Sequence, residues 1–135
     1  MSPTAGFVFF LGLTVVLLAG VTFTGLTRRM RLHLPLVAAA VSSLGGAIYF
    51  AIGLGELYDL EAAGPITPIH LGLAKLTTAL YLAPLLTGLA TLRARGSARE
   101  RLRPWHRAAA FLVLGLTLVT TVTGAWMILA STPIP

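Results

Sequence analysis

Two histidines lie where they could bind a haem iron between neighbouring membrane segments. His33 precedes the second long apolar stretch of the chain, and His106 precedes the fourth. If both stretches are helices that begin on the same side of the bilayer, the imidazoles lie at similar depth, as bis-histidine ligation requires. The small residues Ala40 and Ala110 follow the two rings on their own helix faces and leave room for a flat macrocycle. The pattern predicts one haem b with His33 and His106 as axial ligands.

The same two positions also suit histidines that bind no cofactor. Both lie near the ends of their apolar stretches, within reach of water and lipid phosphate, where an imidazole needs no metal. Neighbouring arginines could pair with the propionates of a haem. The chain has no cysteine, which excludes a thiolate metal site and covalent c-type haem attachment. The expectation is therefore a non-covalent haem b or no cofactor.

A second candidate site lies on the opposite side of the membrane. His70 opens the third apolar stretch, and Met127 lies near the end of the fourth. Histidine and methionine can ligate haem iron together, although methionine in a membrane helix often only fills space. Copper would need more ligands than these two. His70 and Met127 are therefore the alternative metal ligands.

Lys75 is the one charged residue inside an apolar stretch. It lies about 7.5 Å beyond His70 along a helix. A lysine at the centre of a membrane helix costs roughly 2.5–3.5 kcal/mol on insertion scales, and such residues tend to be functional. Lys75 could extend its ammonium outward and pair with an acid of the neighbouring loop: Glu56, Asp59 or Glu61. The functional interpretation is a hydrogen-bond donor to a quinone, a haem propionate or a partner subunit.

A short pattern occurs twice, as Pro-x-His, sixteen residues, and Thr-Gly. The matching residues are Pro68, His70, Thr87 and Gly88 in the first copy, and Pro104, His106, Thr123 and Gly124 in the second. Helices that carry the two copies run in opposite directions, so the two histidines lie at opposite membrane surfaces and cannot share one small cofactor. Prolines near helix starts are also ordinary. We interpret the repeat as coincidence or an old duplication.

Composition indicates an integral membrane protein. Of the 135 residues, 56% are hydrophobic and 10% are charged, whereas soluble domains carry about 25% charged residues. A membrane helix needs about 20 predominantly apolar residues. Four stretches meet this requirement, at about 5–26, 34–54, 69–92 and 108–130. They predict an all-α, up-down-up-down four-helix bundle, with residues 1–135 forming one transmembrane domain.

The basic residues predict which side of the membrane each loop faces. Nine of the ten lie in two connections or at their edges: Arg28, Arg29 and Arg31, and then Arg93, Arg95, Arg99, Arg101, Arg103 and Arg107. Because short basic loops stay in the cytoplasm, both termini are expected outside. The net charge of +6 is then a topology signal, strengthened by anionic lipid, and nucleic acid is not an expected partner.

Two features of the second and third stretches concern packing. Small residues recur every four positions in the second stretch, a spacing that lets helix backbones approach closely. They are Ala38, Ser42 and Gly46 on one ridge, and Ala39, Ser43, Ala47 and Ala51 on the next. We expect this helix in the middle of the bundle. Pro84 should kink the third helix, because proline cannot donate to the carbonyl of Leu80.

Four segments together resemble the small four-helix oxidase-maturation family of the CtaM/YozB type. In chain order they are RRMRLHLPLVAAAVSSLGGAIYF, the loop end GPITPIH, APLLTGLATLRAR and RPWHRAAAFLVLGLTLVTTVTGAWMIL, within residues 25–129. His33 and His106 match the histidines of the family's basic segments. The family also has a histidine within helix three, where this chain has apolar residues and threonines. A histidine at the start of a helix that ends in Thr-Gly is also similar to small membrane b-type cytochromes.

The resemblance implies a multi-pass protein of the prokaryotic inner membrane that serves a respiratory complex, as an assembly factor or accessory subunit. Its partners would be the lipid bilayer and other membrane subunits. The alternatives are a b-type cytochrome that exchanges electrons with quinone and a structural subunit without a cofactor. No nucleophile–base or acid–base pair is recognisable in the sequence, so we assign no catalytic residue and no enzyme class.

Overall fold

The computed structural model describes residues 1–134 and is almost entirely helical. Its helices are α1 Pro3–Leu26, α2 Met30–Gly55, α3 Ile66–Leu80, α4 Leu82–Arg93 and α5 Gly96–Ala130. Between α2 and α3 lie the short strand β1, Tyr58–Asp59, and a 3-10 turn, Glu61–Ala63, and a second short strand, β2, is Thr132–Pro133. Four helical segments are long and apolar enough to cross a membrane, with α3 and α4 counting as one segment, Ile66–Arg93. The structure confirms the all-α class and the four long helices.

The chain forms two compact units. The first contains Met1–Asp59 together with Pro133 and Ile134, and the second contains Leu60–Thr132. Each unit is an antiparallel helical hairpin with its own small buried core. The single-domain organisation stays a prediction.

The first unit pairs α1 with α2 around small and hydroxyl side chains. Ser2 caps α1 by accepting a hydrogen bond from the Ala5 amide at 3.2 Å. Midway along the hairpin, the Thr14 hydroxyl lies 2.9 Å from that of Ser43, and Thr14 is 1% exposed. The turn between the helices contains Arg28 at a φ of 58°, in the left-handed region that a non-glycine residue seldom adopts. The hairpin therefore closes tightly.

Only some of the small residues of α2 are buried against α1, in partial agreement with the predicted ridges; Ala39 of the second ridge is exposed. Ser43 and Ala47 are buried, and both belong to the second ridge. Gly46 lies against Phe10, since a Cβ at Gly46 would be 2.6 Å from that ring. Ala38 and Ser42, which share the first ridge with Gly46, are exposed. The central position of α2 among all the helices stays a prediction.

The second unit pairs α3 and α4 with α5. Hydroxyl pairs join the helices along the hairpin: Thr77 with Thr120 at 3.0 Å, and Tyr81 with Thr117 at 2.9 Å. As the first number of each pair rises, the second falls, which is the signature of antiparallel neighbours. Val113 is 3% exposed, so the core of this unit combines apolar packing with interhelical hydrogen bonds, as membrane helices commonly do.

We predicted a kink at Pro84, and the structure interrupts the helix close to that residue. The α-helix is interrupted at Tyr81, between α3 and α4, three residues before the proline. Because Pro84 has no N–H, the carbonyl of Leu80 receives no helical hydrogen bond from it. The Leu85 amide reaches the Tyr81 carbonyl at a long 3.4 Å. The third membrane segment is therefore two helices rather than one.

The predicted start of the last helix is wrong by twelve residues. We expected a basic loop up to residue 107, but α5 begins at Gly96 and includes most of that loop. Pro104 is accordingly inside α5 rather than before its start. Arginine is a good helix former, so the basic segment continues the helix. The apolar stretch marks only the part of α5 that can span the membrane and not the residue at which the helix begins.

Candidate histidine site

His33 lies at the start of α2, against the end of α1. Its Nδ1 is 3.0 Å from the carbonyl oxygen of Val21 and 3.3 Å from the hydroxyl of Thr24. Because a carbonyl oxygen can only accept, Nδ1 carries the ring proton. The ring also lies against Gly25, where a Cβ would be 3.1 Å from its Cε1 atom. The end of α1 therefore fixes both the tautomer and the position of the imidazole.

His106 has the same surroundings in the second unit. Its Nδ1 is 3.0 Å from the carbonyl oxygen of Pro84 and 3.4 Å from the hydroxyl of Thr87. A Cβ at Gly88 would be 3.0 Å from Cε1 of the ring. The helix break lies beside this site, because the carbonyl that receives the ring proton belongs to the proline that interrupts the third membrane segment.

His70 forms a third copy at the other end of the second unit. Its Nδ1 is 3.2 Å from the hydroxyl of Thr123, and the ring hydrogen-bonds to the backbone of Thr120. A Cβ at Gly124 would be 2.7 Å from Cε1, which is closer than at the other two sites.

We use the term histidine clamp for this arrangement: a threonine, the glycine after it, the carbonyl three residues before the threonine, and an imidazole from the facing helix. In each clamp the threonine hydroxyl also bonds the carbonyl four residues before it, as at Thr24, Thr87 and Thr123. That hydroxyl proton is then directed at its own helix, and the oxygen can accept from the imidazole. A clamp thus provides an acceptor for the Nδ1 proton of the imidazole and another for the hydroxyl proton of the threonine.

The clamps give the repeated sequence pattern a physical reason. The histidine of each copy contacts the Thr-Gly of the other copy: His70 with Thr123, and His106 with Thr87. Antiparallel helices bring these positions together because both copies have the same spacing. Our interpretation as coincidence or an old duplication overlooked this reciprocity, and it also overlooked the third Thr-Gly, Thr24 and Gly25. The sequence contains three Thr-Gly pairs and three histidines, and these equal numbers could have indicated that each histidine contacts one pair.

The structure gives the other two predicted site residues, Lys75 and Met127, no comparable polar contacts. Lys75 is exposed, and it makes no hydrogen bond or ion pair with the described residues of its own unit. Met127 is 5% exposed and lies in the core of that unit. Within residues 1–134, no three histidine, cysteine, aspartate or glutamate side chains form a group that could hold a metal ion.

No protein-family model, no curated protein and no solved structure matches the chain. The histidine clamps themselves are therefore the basis on which a function is assigned.

Proposed function

We propose that this chain is a haem b protein of the prokaryotic inner membrane that serves a respiratory complex, with His33 and His106 as axial ligands. One observation carries the proposal: the ring proton of each histidine lies on Nδ1, bonded to a backbone carbonyl 3.0 Å away. Histidines that ligate metals almost always donate their other ring N–H to such a partner, which orients the ring and raises its basicity.

The donor set fits a non-covalent haem. In the tautomer fixed by the clamps, the lone pair lies on Nε2, the nitrogen through which imidazole most often ligates iron. Both histidines offer a nitrogen donor, and the chain has no cysteine for covalent attachment. When bound, a b haem supplies one-electron chemistry, while the protein provides orientation and electrostatics. The clamps hold each proton on Nδ1 and prevent rotation of each ring.

The respiratory role is supported by the order of the chain's elements. A basic residue and histidine before α2, a proline within the third membrane segment, and a basic segment with histidine at α5 follow the pattern of oxidase-maturation proteins. The proposed orientation places both termini outside and both basic segments in the cytoplasm, because positive charge is retained there. An assembly factor or an accessory subunit would use the haem locally. A b-type cytochrome would pass electrons to or from quinone.

A cofactor-free structural subunit is the second candidate. The observation that favours it is the clamp of His70, which contacts a Thr-Gly pair as the other two histidines do. His70 lies seventeen residues before Thr87, whereas Phe7 lies at the corresponding position before Thr24 in α1, so the first unit has no equivalent of His70. A clamp can thus serve packing alone, since interhelical hydrogen bonds stabilise membrane helices by about 0.6 kcal/mol on average.

An absorption spectrum of the purified protein separates these candidates. A bis-histidine haem gives sharp reduced bands, and we expect His33→Ala and His106→Ala each to shift or abolish them. His70→Ala is the matched control, because it removes the same kind of clamp and should leave the bands unchanged. Haem-free wild-type protein that still restores oxidase activity to a deletion strain would refute the haem assignment. Bands lost only in His70→Ala would move the ligand to the other end, with Met127 as the second candidate.

A further inference from the structure

Lys75 lies on the face of α3 that points away from α5. Thr77, two positions further along the helix, is 5% exposed, and its hydroxyl is 3.0 Å from that of Thr120 in α5. Two residues correspond to about 200° around an α-helix. Lys75 therefore projects from the opposite side of α3, where it is exposed.

The chain has no acidic residue at the depth of Lys75. Its four acids all lie outside the apolar stretches, at Glu56, Asp59, Glu61 and Glu100. Lys75 makes no hydrogen bond or ion pair with any of residues 1–134. It lies about 7 Å from the middle of the membrane segment Ile66–Arg93. An ammonium at this depth is costly in lipid unless an opposite charge pairs with it, and a carboxylate that does so would belong to another molecule.

The surface around Lys75 has the composition of a contact between membrane helices. We use the term Lys75 face for the residues of α3 within about 60° of Lys75 around the helix. They are all exposed: Pro68, Leu71, Gly72, Lys75, Thr78 and Ala79. A Cβ at Gly72 would meet nothing within 4 Å. Small residues let a second backbone approach closely, and hydroxyl side chains hydrogen-bond across membrane helices.

Other exposed positions of the second unit differ from the Lys75 face. Leu118, Val122 and Leu129 of α5 are exposed by 60% or more, and their large apolar side chains suit contact with lipid tails. A surface that only faces lipid has no need of a lysine, a threonine and a glycine within two turns. The Lys75 face is therefore better suited to another protein than to lipid tails.

The first unit shows that a hairpin of this kind needs no lysine at this position. Counted back from the Thr-Gly pairs of α1 and α4, Gly12 occupies the place of Lys75, and Thr14 that of Thr77. Thr14 is buried as Thr77 is, whereas Gly12 is exposed with open space around it. Lys75 is therefore not part of the packing that holds the helices of a unit together.

We propose that the Lys75 face binds a transmembrane helix of another protein, and that this helix carries an aspartate or glutamate at the depth of Lys75. The carboxylate pairs with the ammonium, and Gly72 and Ala79 admit the partner backbone on either side of the pair. A second copy of the chain suits this face poorly, because a symmetric contact would bring two Lys75 ammonium groups together. The site is separate from the histidine clamps and requires no haem.

The test measures association of the full-length protein with apolar membrane-spanning peptides in phosphatidylcholine vesicles, by Förster transfer. One peptide has a single glutamate about four residues from its centre, to match the depth of Lys75, and the others have glutamine or lysine there. Lys75→Met removes the charge, and Lys75→Glu reverses it. Gly72→Leu blocks close approach to the face. Gly115→Leu is its matched control, because a Cβ at Gly115 also meets nothing within 4 Å but lies on α5.

We expect wild type to bind the glutamate peptide at least about tenfold more tightly than the glutamine peptide. Lys75→Met should lose this preference, and Lys75→Glu should prefer the lysine peptide instead. Gly72→Leu should weaken binding of the glutamate peptide, whereas Gly115→Leu should not. Equal binding of the glutamate and glutamine peptides to wild type would overturn the proposal and leave Lys75 as a contact with lipid headgroups. Förster transfer between copies of the wild type that Lys75→Met abolishes would overturn it in favour of self-association.

Discussion

The glycines of the histidine clamps should be intolerant of a single methyl group. At Gly88, a Cβ would lie 3.0 Å from Cε1 and 3.2 Å from Nδ1 of His106, tighter than ordinary van der Waals contact. In Gly88→Ala the ring must move by a few tenths of an ångström, away from the Pro84 carbonyl. Gly115 provides the control, because a Cβ there would have open space around it.

The magnitude follows from two opposing contributions. Replacing a mid-helix glycine by alanine favours the helix by up to about 1 kcal/mol, and Gly115→Ala should show this gain alone. Gly88→Ala has the same gain but weakens an interhelical hydrogen bond worth about 0.6–1.7 kcal/mol. It also leaves the Nδ1–H of His106 partly without its acceptor, and a buried donor that loses its acceptor costs about 1–3 kcal/mol. We expect Gly88→Ala to be about 1–3 kcal/mol less stable than Gly115→Ala.

Unfolding in detergent with increasing sodium dodecyl sulfate, followed by circular dichroism, measures this difference. Gly25→Ala should resemble Gly88→Ala, because a Cβ at Gly25 would be 3.1 Å from the His33 ring. Gly124→Ala should be the least stable, since the corresponding distance to His70 is 2.7 Å. If Gly88→Ala is as stable as Gly115→Ala, the ring is not held as we describe, and the tautomer argument for haem ligation is wrong.

Three further outcomes are expected. Gly46→Leu should lower the yield of folded protein because Phe10 occupies the space of its side chain, whereas Gly45→Leu should not, since a Cβ at Gly45 would meet nothing within 4 Å; equal yields would show that α1 and α2 do not pack as described. Lys75→Met should leave stability within about 0.5 kcal/mol but lower respiratory activity, and full activity would reduce Lys75 to a lipid-surface anchor. Cysteine labelling in intact cells should reach Asp59→Cys from outside but not Ser97→Cys, and labelling at position 97 would reverse the proposed orientation.

Sequence reasoning found the helices because their signal is local. Twenty consecutive apolar residues are sufficient evidence for a membrane helix, and the break near Pro84 follows from a missing N–H. The start of α5 was not predicted, because arginines such as Arg99 and Arg101 occur both in basic loops and in helices that extend beyond the membrane. Arginine has a high helix propensity, so its presence did not mark the end of the helix.

The candidate site was only half predicted, and for a different reason. His33 and His106 were recognised by residue type, but their partners are defined by contact between helices. Thr87 and Gly88 resemble ordinary helix residues until the register of α4 against α5 is known. A carbonyl such as that of Pro84 has no sequence signature at all, because every residue has one.

The two clamps of the second unit have a mechanical consequence. One clamp lies at each end of the same helix pair, at His70 and at His106, and the interruption at Tyr81 lies between them. Sliding α5 by a single turn would break both clamps together, so the pair is pinned at its two ends while its middle has the weakest backbone bonding. We therefore expect the hairpin to resist separation at its two ends and to bend most easily at the helix interruption between them. Lateral pressure from the bilayer would then bend it at Tyr81 and leave the two imidazoles in place.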